Sequence, residues 1–73
     1  MTIGGNVRRG RTARGWTQRQ LAIRLGCGDM RVSSWERGEH RPSAHYEQRL
    51  AELLFDGRLS ALYTESDHMD AAA

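Results

Sequence analysis

The sequence predicts an all-α fold of four to five short helices. Three observations carry that expectation. The stretch QRQLAIRLGCGDMRVSSWERG, residues 18–38, reads as two short helices joined by one sharp glycine turn. Thr17 with Gln20 three residues later forms a capping box at the start of the first of them. Tyr46, Leu50, Leu53 and Leu54 fall at i, i+4, i+7 and i+8, one apolar stripe on a further helix.

The first helix is expected from Gly4 or Gly5 to Arg14, with Thr2 or Asn6 as its cap and Gly15 as its left-handed terminator. Its propensity is poor, because Gly4, Gly5 and Gly10 each cost about 1 kcal/mol relative to alanine. Packing through Ile3, Val7 and Ala13 has to hold it. The second helix runs from Gln18 to Leu25, with Trp16 and Leu21 as a hydrophobic staple, and Gly26 ends it. The third starts near Gly28 or Asp29, either of which can serve as N-cap, and continues to about Arg37, with Gly38 closing it. Glu39 to Pro42 form a loop, since proline disfavours helical backbone in the residue before it. Ser43 caps the fourth helix, which Asp56-Gly57 breaks. Leu59, Leu62 and Tyr63 form a short fifth helix or an apolar arm. The expected domain is residues 1–63, with 64–73 an acidic, disordered tail.

A chain of 73 residues buries only about 60% of the surface that its unfolded form exposes, which leaves no room for a large catalytic cleft. No nucleophile–base pair, metal set or phosphate loop is present, and nothing is arranged with His45 and Tyr46 for acid–base work. Neither an enzyme nor a cofactor is therefore expected. Cys27 is the single cysteine, and its spacing to His40, His45 and His68 matches no zinc pattern. It reads as a buried structural thiol. No apolar run is long enough for a membrane span, and the N-terminus lacks the apolar core of a signal peptide, so a cytosolic location is expected.

The net charge of +2 conceals an asymmetry. Up to Arg41, nine arginines face three carboxylates, whereas beyond it two arginines face six. A basic front half that contains the paired helices fits a polyanion-facing side. The pairing itself is a helix-turn-helix: Ala22 gives the small side chain at closest approach, Gly26 the positive-φ turn, and Leu21, Leu25, Cys27, Val32 and Trp35 the buried positions. The common use of this unit, here about residues 17–37, is to lay its second helix in the major groove of DNA. Trp16 and Trp35 fall at core positions rather than as stacking platforms for single strands.

These residues resemble the XRE-type helix-turn-helix family, the phage repressor and Cro fold, over about residues 3–56. The resemblance is carried by RGWTQRQLAIRLG (14–26), Val32, Trp35-Glu36-Arg37-Gly38 and RPSAHYEQRLAELL (41–54). It implies a lambda-repressor-like all-α domain that binds operator DNA as a two-fold symmetric dimer. Carried over by position, Gly28, Asp29, Met30, Ser33 and Ser34 would occupy the base-reading face of the third helix. Gln18 would contact a phosphate at a helix N-terminus, with Arg8, Arg9, Arg19, Arg31, Arg37 and Arg41 as further phosphate or minor-groove contacts. Arg11 and Glu36 correspond to a partly buried salt bridge between the first and third helices.

The sequence departs from the family at Gly28, Asp29 and Met30, where serine, arginine, glutamine or threonine is common. Asp29 either accepts from a cytosine N4 or caps the third helix, and Met30 either touches a thymine methyl or is a plain surface residue. A candidate dimer surface comprises Leu54, Phe55, Leu59, Leu62 and Tyr63, which exceed the needs of a four-helix core. The expected partner is an operator in double-stranded DNA, with no small-molecule ligand and no membrane. A chain of this size suits a small Cro-like regulator or a trimmed DNA-binding domain better than a ligand-sensing repressor. The competing reading is a protein-interaction module on the same fold, antitoxin-like or polymerase-binding, that works through its acidic fourth helix and tail.

Overall fold

A computed structural model describes residues 2–64. The acidic tail read from the sequence lies outside the described residues except for Thr64. Four α-helices form: α1 (Ile3–Ala13), α2 (Gln18–Leu25), α3 (Asp29–Glu36) and α4 (Ala44–Leu54). A 3₁₀ helix, Leu59–Tyr63, follows. No strand is present among the described residues, and the fold is the small all-α helix-turn-helix arrangement.

The local signals act as the side-chain chemistry dictates. Thr17 Oγ1 accepts from the Gln20 N–H at 3.0 Å while Gln20 Oε1 accepts from the Thr17 N–H at 2.8 Å, so α2 starts with both arms of its capping box in place. Gly26 ends α2 at φ 76°, a left-handed conformation that a Cβ would strain. Thr2 caps α1 by accepting from the Gly5 N–H. Asn6, the other cap candidate, has a different role. The N-cap of α3 is Gly28 and no side chain caps it, so Asp29 is the first helical residue and not the cap. Ser43 takes the N-cap position of α4 but makes no capping hydrogen bond.

The core gathers Val7, Leu21, Leu25, Val32, Trp35, Leu50, Leu54 and Leu62, one or two from each element. Each large aliphatic side chain buried this way contributes about 1.5–3 kcal/mol. Two glycines of α1, Gly4 and Gly10, belong to this packing. A Cβ on Gly4 would lie 2.0 Å from the Trp35 carbonyl oxygen, and one on Gly10 would lie 3.0 Å from Leu54 Cβ. The poor helix propensity of α1 is thus the cost of laying its backbone directly on α3 and α4.

The 3₁₀ helix belongs to the domain. Leu62 is fully buried, and Asn6 Nδ2, itself buried in α1, donates to the carbonyls of Leu62 (2.7 Å) and Thr64 (2.8 Å). This corrects the expected dimer surface in two places. Leu54 (3% exposed) and Leu62 (0%) are buried in the core, Leu54 against Gly10 of α1 and Leu62 on the inner side of the 3₁₀ helix. Phe55 is half-buried against the same core, whereas Leu59 and Tyr63 are exposed.

Two further placements differ from expectation. Trp16 is half-buried at the edge of the core, with the Arg24 guanidinium 4.3 Å and that of Arg14 5.9 Å from its ring centroid. Cys27 is half-buried also. Burial pushes its thiol above the ordinary range, with the Arg31 charge opposing.

Candidate nucleic-acid interface

The α2–α3 pair turns one side of α3 into the core and the other to solvent. Val32 and Trp35 point inward. Gly28, Asp29, Met30 and Arg31 are exposed, Met30 by 79%. Asp29 enters no ion pair among the described residues. Ser33 and Ser34 are half-buried and engaged locally: Ser33 Oγ accepts from Arg37 Nη1, and Ser34 Oγ lies 2.6 Å from His40 Nδ1. Five residues proposed for base readout thus separate into a free N-terminal group and a serine pair tied to the following loop.

Beside this face runs an open cleft of about 610 Å³, bordered by Met30, Arg31 and Ser34 of α3 and by His40, Arg41 and Ser43 of the loop. Both arginines lie against aromatic rings. The Arg31 guanidinium sits 5.4 Å from the Tyr46 centroid and that of Arg41 5.6 Å from the Tyr63 centroid. Arg41 Nε also donates to Glu47 Oε2 at 3.3 Å.

On the other flank, the N-terminus of α2 offers the backbone N–H groups of Gln18 and Arg19, for which no partner is present among the described residues. Such groups favour an anion. Gln18 is half-buried and spends one side-chain N–H on Glu36 Oε1 at 3.1 Å, which leaves its second. Arg8 and Arg19 are exposed. Arg9 is exposed and bonds to Asn6 Oδ1. Arg37 forms a two-pronged pair with the exposed Glu39, both contacts at 2.9 Å, which raises its own pKa and lowers that of Glu39. Phosphate would have to displace that carboxylate, a small penalty at a surface site.

Behind the face lies the ion pair that fixes it. Arg11 Nε and Nη2 grip Glu36 Oε2 (2.6 Å) and Oε1 (2.9 Å), and Arg11 Nη1 donates to the Trp16 carbonyl at 2.8 Å. Both side chains are nearly buried. The hydrogen bond to Glu36 raises the Arg11 pKa, with burial opposing. Glu36 therefore joins α1, the start of α2 and the end of α3 at one carboxylate.

Sequence reasoning gives Asn6 only a capping role and does not single out Glu47. Glu47 is buried on the α4 face 47, 50, 51, 54, whose i, i+3, i+4, i+7 spacing was there to be read. The stripe chosen instead, starting at Tyr46, puts Tyr46 and Leu53 only at the border of the core.

The fold and the outward helix define a small helix-turn-helix domain. The family model described as Helix-turn-helix domain matches residues 2–55, and the chain belongs to that family. No curated protein and no solved structure matches the chain. No helix among the described residues is long and apolar enough to cross a membrane.

Proposed function

We propose that the chain is a sequence-specific transcriptional regulator of double-stranded DNA, of the small Cro or repressor type, with α3 in the operator major groove. The observation that carries this reading is the outer face of α3: Asp29 and Met30 stand exposed at its start, flanked by Arg31 and Arg41 on one side and the free N-terminus of α2 on the other. Base readout falls to Asp29 and Met30, as acceptor and apolar contact for a cytosine amino group and a thymine methyl. Ser33, Ser34 and the Gly28 backbone contribute beside them. Arg8, Arg9, Gln18, Arg19, Arg31, Arg37 and Arg41 neutralise phosphates or reach the minor groove.

Two copies on a two-fold site would place the recognition helices about 34 Å apart. Leu59 and Tyr63, with the border of Phe55, remain as apolar surface for that pairing. Selection of bound duplexes from a random pool tests the proposal. Enrichment of a palindrome, with half-sites one helical turn apart, is expected. Recovery of no preferred sequence would remove the regulator reading and favour a protein partner.

A further inference from the structure

The Glu47 carboxylate occupies the junction of three elements. It lies in the first turn of α4 with its side chain only 12% exposed, an uncommon burial for an acid on a domain whose proposed ligand is a polyanion. Its two oxygens have separate partners. Oε1 accepts from the Tyr63 hydroxyl at 2.7 Å, and Oε2 accepts from Arg41 Nε at 3.3 Å. Tyr63 holds its proton above the ordinary phenol range because ionisation would forfeit that hydrogen bond, so it stays a donor.

The choice of Nε matters. Glu47 leaves both terminal nitrogens of Arg41 out of its contact, while the Tyr63 ring lies 5.6 Å from the guanidinium carbon. Pro42 further restricts the backbone of Arg41. The guanidinium is still 68% exposed at the border of the cleft beside α3. A long side chain restrained at its inner nitrogen, whose terminal nitrogens have no hydrogen bond among the described residues, has already lost part of the rotamer freedom that a phosphate contact would otherwise remove.

Resting on the DNA-binding reading above, we infer that Glu47 is a positioning residue for Arg41: it touches no DNA, yet it aims the Arg41 fork at a backbone phosphate and ties that aim to the 3₁₀ helix through Tyr63. The cost is a negative charge near the polyanion. Through water and at one side chain's remove, that repulsion is weak beside the ordering it secures.

The two effects have opposite signs, and this makes the inference testable. The probe is a mixed-sequence duplex, titrated at several salt concentrations against the wild type, Glu47→Gln, Tyr63→Phe, Arg41→Ala and the Glu47→Gln/Arg41→Ala double variant, each checked for native helicity by circular dichroism. Glu47→Gln makes the domain more positive but releases Arg41. Binding is expected to weaken roughly threefold to tenfold, with the salt slope reduced toward that of Arg41→Ala, which should itself lose about 0.9. Tyr63→Phe keeps the ring and loses the hydroxyl, so a smaller change in the same direction is expected. In the Arg41→Ala background, Glu47→Gln should weaken nothing further. Tighter or unchanged binding by folded Glu47→Gln, with wild-type slope, would overturn the positioning role and leave DNA binding standing. No binding by the wild type would overturn both.

Discussion

The inner and outer faces of α3 obey different rules. On the inner face every side chain is committed: Val32 and Trp35 are core, Glu36 accepts from Arg11 and Gln18, and the Trp35 carbonyl abuts Gly4. On the outer face, Met30 stands outside the core and Asp29 contributes only a favourable charge in the first turn of α3. A large apolar side chain 79% exposed beside a carboxylate that enters no ion pair among the described residues has no packing reason to be there. The difference shows which residues are available to a ligand, since only those without a structural duty can vary with what is bound.

Changes to the inner face should be the most damaging. Arg11→Ala leaves the Glu36 carboxylate buried without its cation and is expected to cost about 3–5 kcal/mol, much of the 5–15 kcal/mol that stabilises a typical domain. Urea unfolding reads this directly. A loss under about 1 kcal/mol would show that the pair behaves as an ordinary surface one. Gly4→Ala comes next, at about 1–3 kcal/mol, because its Cβ would require α1 and α3 to separate. An unchanged midpoint would mean that the close approach is absent in solution. Gly26→Ala should cost about 1 kcal/mol from its positive φ alone, since a Cβ there meets open space.

Asp29→Ala and Met30→Ala sharpen the contrast from the other side. Stability should move by no more than about 0.5 kcal/mol, while the preferred duplex sequence changes. Loss of affinity for every sequence alike would show that these residues do not read bases.

The smallest effect concerns Cys27, which lies between the two faces at the turn. Its folded thiol keeps its proton to higher pH than the unfolded one, so it favours the fold below about pH 8.5 and loses that contribution as alkali ionises it. Alkylation by iodoacetamide at that pH should be slower in the native protein than in urea. Equal rates would place the thiol in full solvent.

The inner face was largely legible in the sequence because short-range chemistry fixes it. Thr17, Gln20, Gly26, Val32 and Trp35 announce a cap, a turn and a core side through spacing alone. Long-range partners were harder. Gly4 and Gly10 look like helix breakers until α3 and α4 are laid against them, and Asn6 finds its acceptors more than fifty residues away, in Leu62 and Thr64. Leu54 and Leu62 look like surplus apolar surface for the same reason: nothing local says that α1 lies against the end of α4 and holds the 3₁₀ helix. Glu47 is hard to read because an acid seldom occupies a buried position, although its register with Leu50 and Leu54 places it there.

The claim beneath all of this is that the outer face of α3 and its arginine flanks engage duplex DNA. Affinity for a duplex, followed as salt is raised from dilute buffer, measures it most directly. The account predicts a linear fall of log affinity with log salt, by about 0.9 for each phosphate neutralised and amounting to several phosphates. Affinity indifferent to salt, or no retention of duplex in dilute buffer, would contradict it.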